Sequence, residues 1–319
     1  MEYIITIFNQ LTIKKEVYLT FDIEIVTAKF SKNSNYLSAL FIAPLLIAIL
    51  LKDRNLKATF FVSLSPKMHE YSFEFYEYYL DLLFNSLKGF ENIKIAPHIH
   101  GRNLPMNFST KEDRFDKYND EQQIALLNWA KQYFKKYGIE ANTFRSGGYF
   151  HTENYYENLS KSNFNRSSLL FRQNKPNIDL VNKEVNISNP YTINSITEYP
   201  VTSVKIKSIK RKVEIINLSP EFLTLESVKP YLEKLPYINM VFHSFSLQTP
   251  KLIRENHSNL IWENLKFILF ERTLNIILNS LNIYPIYKNT ILKKELVKYL
   301  NYFKENNDIF ETKFFEEKN

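Results

Sequence analysis

Val17-Tyr18-Leu19-Thr20-Phe21-Asp22-Ile23-Glu24 is an apolar run rich in strand-forming residues that stops on two carboxylates. Val17 to Phe21 reads as a strand, and the acids sit where it emerges. The apolar run Leu37 to Leu51 follows at helix length, and Ala58-Thr59-Phe60-Phe61-Val62 is a second strand. An aromatic helical stretch, Phe73 to Leu87, leads to a third strand at Ile93-Lys94-Ile95-Ala96. Asp120 is expected to cap a helix carrying Ile124, Leu127, Ala130, Phe134 and Tyr137 at helical spacing, with Gly138 as its C-terminal stop. Asn142-Thr143-Phe144-Arg145 reads as the next strand. Further strands are expected near Ser167–Phe171, Val213–Leu218 and Ile238–Phe242, then a helix from Ile261 to Leu281 and a strand at Ile283–Tyr287. Strands alternating with helices argue for βαβ units and a parallel sheet.

The chain has 319 residues. That length suits two domains of roughly 150 residues, or one α/β barrel of about 250 or more. No Pro/Gly/Ser-rich linker divides it and no repeat is visible, so a single domain is expected. Residues after Lys293 read as a charged amphipathic helix packed outside the body.

Composition narrows the chemistry. At 45% hydrophobic and 15% aromatic the chain can bury a large core, which excludes disorder for most of it. It has no cysteine, so disulfides, thiolate nucleophiles and Cys-ligated metals are excluded, and any metal needs His, Asp or Glu. Forty-one Lys+Arg against 34 Asp+Glu give a net charge of +7. The densest basic stretch, Lys205 to Lys212, reads as an exposed strand or hairpin guarded by lysines. No zinc-finger or RNA-recognition signature is present, and no nucleic-acid partner is expected. The run Leu37–Leu51 falls short of the roughly 20 residues that cross a bilayer and contains Pro44, so it reads as a buried helix. Met1 to Phe8 carries an acid at position 2 and no small-residue cleavage site follows, so a cytoplasmic location is expected.

In parallel α/β folds chemistry collects beyond the carboxyl ends of strands. There this chain places Asp22 and Glu24, His98 and His100, Arg145 before Gly147-Gly148-Tyr149, and His243. Carboxylates and imidazoles converging at one rim could form a hydrolytic metal site. Singly, each has a plainer reading: Asp22 and Glu24 as helix caps, His-x-His as coincidence, Arg145-Ser146-Gly147-Gly148 as a tight turn, His243 as a satisfied interior histidine. His69, His151 and His257 have no such placement.

The ordered segments Leu19-Thr20-Phe21-Asp22-Ile23-Glu24, Lys57-Ala58-Thr59-Phe60-Phe61-Val62, Ile95-Ala96-Pro97-His98-Ile99-His100, Phe144-Arg145-Ser146-Gly147-Gly148-Tyr149, Glu198-Tyr199-Pro200-Val201 and Val241-Phe242-His243-Ser244-Phe245-Ser246 resemble the NodB-type polysaccharide deacetylases, the carbohydrate esterase family 4 group, in its His-x-His branch. The resemblance spans roughly residues 15–290. It implies a single-domain α/β fold, a distorted (β/α)7 barrel, and residues 291–319, read as the charged helical tail, lie beyond it. It also implies a metal-dependent hydrolase that removes an acyl group from an N-acetylated sugar or glycan precursor in surface polysaccharide biosynthesis. By the same resemblance Asp22 is the base, and Glu24, His98 and His100 hold a divalent ion, with zinc expected. Arg145 orients the base, His243 protonates the departing amine, and Gly148 and Tyr149 meet the substrate.

Two positions depart from the common pattern. Ile23 stands where a second aspartate is usual, and Arg102 where the second histidine is usual, so Glu24 and His100 must substitute. Both departures leave open a catalytically inactive glycan-binding or scaffold protein on the same barrel.

Overall fold

The computed structural model describes residues 14–25, 37–65, 73–102, 104–108, 112, 114–169, 175–207, 212–247 and 290–315. Among them are strands β1 (Lys15–Ile23), β2 (Ala58–Ser63), β3 (Ile93–Ile99), β4 (Thr143–Ser146), β5 (Arg166–Ser167), β6 (Ile178–Asp179) and β7 (Glu184–Val185). β8 (Tyr191–Ile193), β9 (Ile196–Glu198), β10 (Ser203–Lys207), β11 (Val213–Asn217), β12 (Tyr237–His243) and β13 (Phe310–Thr312) complete them. The main sheet runs β12-β1-β2-β3-β4-β5-β9-β8. Every pairing from β12 to β9 is parallel, which makes seven strands, the expected distorted barrel. It is curled rather than fully laddered. Between β9 and β12 the seam is stitched by single bonds, Thr202 N–H to the Asn239 carbonyl (3.0 Å) and Val241 N–H to the Leu218 carbonyl (3.1 Å).

Period-two alternation sorts the side chains of these strands. Val17, Leu19, Phe21 and Ile23 join the large core beneath the helices, together with Phe60, Val62, Ile238, Met240 and Phe242. The alternate residues face the barrel interior, and their character changes with height. The floor is aromatic, with Tyr18, Phe61, Tyr237 and Phe315 packed in one cluster against Tyr199. The middle is polar: Thr20 Oγ1 donates to the Met240 carbonyl at 2.8 Å, and Asn239 Nδ2 to Ser168 Oγ at 2.9 Å. The rim carries the acids and histidines. Asp22 is in register with His243, and His98 with Arg145. Parallel pairing therefore lifts strand ends distant in sequence to one level.

Several local expectations change. The helix Asp120–Lys135 is capped one residue earlier than read, because the Asn119 and Gln122 side chains form a reciprocal capping box. Asp120 instead accepts from Asn154 and Asn158. The stretch Leu37–Leu51 is a π-helical turn, Leu37–Ile42, followed by an α-helix, Ala43–Lys52, whose first turn holds Pro44, where its missing N–H costs nothing. The strand expected at Ser167–Phe171 keeps only Arg166–Ser167, and positions 170 and 171 lie outside the described residues. The Val213–Leu218 strand is present as β11 but belongs to a second sheet, β11-β10-β6-β7, antiparallel to β10. Of the basic stretch, Lys205–Lys207 lie in β10, positions 208–211 lie outside the described residues, and Lys205 is bound to Asp179 at 2.8 Å. The helix expected at Ile261–Leu281 and the strand at Ile283–Tyr287 lie outside the described residues, as do His69 and His257.

The tail forms the helix Thr290–Glu305, which buries Leu292, Leu296, Tyr299, Leu300 and Phe303. It then returns as β13, which pairs with β1, and Phe315 stacks on Tyr18 with ring centroids 4.8 Å apart. Charge patterning gave no sign of that return. A fully buried phenylalanine closing the floor should be costly to truncate, so Phe315→Ala is expected to lower stability by about 3–5 kcal/mol. Urea unfolding checks this; a loss below about 1 kcal/mol would mean the floor does not depend on that ring.

Candidate metal centre

Asp22 and Glu24 stand two residues apart at the end of β1, which puts both on the interior side, while Ile23 between them is buried in the outer core. Position 23 therefore faces away from the rim. The same spacing puts His98 and His100 together at the end of β3. Glu24 Oε2 lies 2.8 Å from His100 Nε2 and 3.8 Å from His98 Nε2, and the two imidazole nitrogens are 3.0 Å apart. All three residues are buried, and one donor atom from each falls within 4.8 Å of the others.

The protonation pattern of this trio suits a cation. His98 Nδ1 lies 3.1 Å from the Arg145 carbonyl, which can only accept, so Nδ1 carries the hydrogen. Burial pushes the His98 pKa down to about 4, against the opposing pull of Asp22, so the ring is neutral near pH 7. Its Nε2 then presents a lone pair toward His100 Nε2 and the Glu24 oxygen. Three electron-pair donors surround a space that a single proton or a divalent ion can neutralise. Two imidazoles and one carboxylate form a donor set suited to zinc and to its first-row neighbours.

His100 is clamped on both sides. Its backbone N–H donates to Ser65 Oγ, and Ser65 Oγ–H donates back to its carbonyl at 2.9 Å. Its ring rests on Gly147, where an added Cβ would clash with Nδ1. Glycine is needed there for close approach. The next two residues, Gly148 (φ 63°) and Tyr149 (φ 61°), are both left-handed and turn the chain across the rim.

Arg145 is fully buried in the barrel. Its Nη1 donates to Asp22 Oδ1 at 2.5 Å, Nη2 to Thr20 Oγ1 (3.0 Å) and Ser168 Oγ (2.7 Å), and Nε to the Ser168 carbonyl (2.8 Å). The guanidinium also stacks over Phe61, 4.0 Å from the ring centroid. Asp22 Oδ2 is left on the side of His243, whose Nε2 is 3.8 Å away, too far for a hydrogen bond.

His243 is the most open member of the group, its side chain 21% exposed. Its Nδ1 lies 2.7 Å from Glu221 Oε2, and the other Glu221 oxygen accepts from Ser246. Burial opposes charge on this ring, but Glu221, then Glu24 and Asp22, outweigh it and raise the pKa above its ordinary value. Glu221 was not among the residues singled out from sequence. It follows β11 in Ser219-Pro220-Glu221, with no histidine or glycine motif to flag it. Tyr149 receives a hydrogen bond on its hydroxyl from Asn217 at 3.1 Å. Gly148 is exposed at the rim, and His151 is exposed and apart from the group.

No protein-family model matches the sequence, and no curated protein matches it. Among solved structures, a presumed polysaccharide deacetylase from Mycobacterium smegmatis is similar at 11% identity, with 96% of each chain covered and a TM-score of 0.46. A peptidoglycan N-acetylglucosamine deacetylase is similar at 14% identity, covering 94% of this chain and 87% of that one, with a TM-score of 0.41. A 4-alpha-glucanotransferase from Thermococcus litoralis is similar at 11% identity, covering 95% of this chain but 39% of that one, with a TM-score of 0.48. The activity has to be read from the site itself.

A methyl group at position 147 would displace the His100 ring, so Gly147→Ala is expected to weaken zinc binding about 10–100-fold, as loss of ligand support typically does. Competition with a chromophoric chelator measures this; unchanged affinity would show that His100 does not ligate.

Proposed function

We propose that this chain is a metal-dependent hydrolase that removes the acetyl group from an N-acetylated amino sugar or glycan precursor. The observation that carries the reading is the placement of Glu24, His98 and His100 in one buried cluster, with the Asp22–Arg145 and His243–Glu221 pairs on its flank. Glu24, His98 and His100 would hold the ion, with zinc favoured by the donor set. When bound, a divalent ion supplies a Lewis acid that polarises the amide carbonyl and acidifies water.

The remaining work belongs to side chains. Arg145 occupies Asp22 Oδ1 and fixes the carboxylate plane, which leaves Oδ2 to take the proton of the attacking water. His243 donates its Nδ1 hydrogen to Glu221, so in its charged form a second proton sits on Nε2, facing the carboxylates at the rim. That proton goes to the nitrogen of the departing amine, which would otherwise be a poor leaving group. Base and acid thus stand on adjacent strands in register, Asp22 on β1 and His243 on β12. Tyr149 and the exposed Phe150 ring supply apolar surface beside this cleft for a sugar ring.

The reading extends to a precursor of surface polysaccharides handled in the cytoplasm. No helix among the described residues is long and apolar enough to cross a membrane.

Acetate release from N-acetylated sugars by the zinc-loaded protein is the direct assay. Asp22→Asn is expected to lower kcat by about 10²–10⁴-fold, and chelation to abolish turnover. Turnover that survives chelation would overturn metal dependence, and glycan binding with no acetate release would put a catalytically inactive glycan-binding protein in place of the hydrolase. The raised pKa of His243 places the loss of activity on the alkaline side, where Nε2 gives up its proton. Glu221→Gln removes the main charge that raises it, so the alkaline limb of kcat should move to lower pH. A limb that stays in place would assign that proton to another group.

A further inference from the structure

β2 ends at Ser63 and β3 at Ile99, so His100 lies just past the ladder that joins them. A bond from the Leu64 N–H to the His98 carbonyl (3.0 Å) carries the pairing one residue beyond β2. At the next step a side chain takes over from the backbone. Ser65 Oγ accepts the His100 N–H at 3.1 Å and gives its own hydrogen to the His100 carbonyl at 2.9 Å. One hydroxyl thereby bridges both polar groups of a single residue and restrains the φ and ψ between them.

That hydroxyl is itself held. The Ser65 N–H donates to Ser63 Oγ (3.3 Å), and Ser63 Oγ donates to the Ser65 carbonyl (3.1 Å), the same reciprocal bridge two residues earlier. Tyr76, on the helix Phe73–Leu87, donates its hydroxyl to the Ser63 carbonyl at 2.6 Å. Burial pushes the Tyr76 phenol well above its ordinary pKa, so the proton it donates stays in place. Ser63, Ser65 and Tyr76 are all buried, and a buried network whose members are paired at each step is rigid. It runs from the helix to the histidine whose Nε2 is 2.8 Å from Glu24 Oε2. The two histidines therefore differ in support. At His98 the Arg145 carbonyl holds the ring through Nδ1, whereas at His100 a serine holds the main chain.

We propose that Ser65 is a positioning residue for the candidate metal centre, acting through the backbone of His100 to aim Nε2 at an ion shared with Glu24 and His98. This rests on the metal-dependent reading given above but not on turnover. Without the hydroxyl, the His100 N–H and carbonyl each lose a buried partner, and the residue is released to shift. A ligand whose supporting contacts are lost binds its ion less tightly. The role needs no contact between Ser65 and the ion or the sugar, so its contribution belongs to metal affinity.

Zinc affinity, measured by competition with a chromophoric chelator, is expected to fall about 10-fold in Ser65→Ala. A role confined to stability would lower the melting temperature of the zinc-free protein and leave that affinity alone. Cobalt gives a second reading, because its visible absorption reports ligand geometry. The bands should shift in Ser65→Ala and stay in place in Ser65→Thr, which keeps the hydroxyl. Should Ser65→Ala not fold, Ser65→Thr against Ser65→Val makes the same comparison at matched size, with valine binding zinc about 10-fold more weakly. Equal zinc affinity and identical cobalt spectra with and without the hydroxyl would overturn the proposal and leave the metal-dependent reading standing. No zinc binding by the unaltered protein would overturn both. Zinc affinity that depends on Ser65, without acetate release, supports the proposal and sinks the hydrolase reading alone.

Discussion

Arg145 is the hub on which the interior is built. A guanidinium fully removed from water is tolerated only when its donors are matched, because the desolvation of an ion costs several kcal/mol. Here Asp22, Thr20 and both the hydroxyl and the carbonyl of Ser168 take its N–H groups, while Phe61 covers its face. Its backbone carbonyl fixes the His98 tautomer as well. One residue therefore orients the carboxylate proposed as base and an imidazole of the candidate metal site. The same network reaches Asn239 through Ser168, and Asn239 is stitched to Thr202 across the seam of the barrel. Site geometry and barrel closure are thus coupled.

The vertical sorting of the interior explains why polar groups can be concentrated at one end. Alternation along parallel strands puts an aromatic floor under a hydrogen-bonded middle, which supports a charged rim. The floor excludes water from below and lowers the local dielectric, which strengthens the pairing of the ions above it. Burial disfavours charge on two histidines, yet they end in opposite states. At His98 burial, helped by His100 and Arg145, outweighs Asp22 and Glu24 and keeps the ring neutral, whereas at His243 Glu221, Glu24 and Asp22 outweigh burial and favour the charged form.

Much of this was readable before any coordinates. Strands β1 to β4 and β12 are short apolar runs bounded by helices, and residues just beyond such runs belong to the rim by topology alone. That is why Asp22, Glu24, His98, His100, Arg145 and His243 could be named from their positions. Other parts had no local signal. β11 has the composition of a barrel strand, but its antiparallel pairing with β10 depends on a partner that periodicity does not reveal. Glu221 and Asn217 occupy that same region, so their contacts with His243 and Tyr149 were hidden with it. Asn119 lost to Asp120 as the expected cap because both are good capping residues, and only the reciprocal bond with Gln122 decides between them.

The pairing of β13 with β1 has a consequence for how the protein is made. Lys15 lies opposite Phe310, so the first strand of the barrel meets a partner made long after it. Until that partner is made, the Lys15–Val17 end of β1 is incompletely paired and the floor lacks Phe315, the kind of surface on which nascent chains aggregate. Nucleation by the local βαβ units at β2–β4 and late annealing of the outer contacts is the order that such long-range pairing imposes.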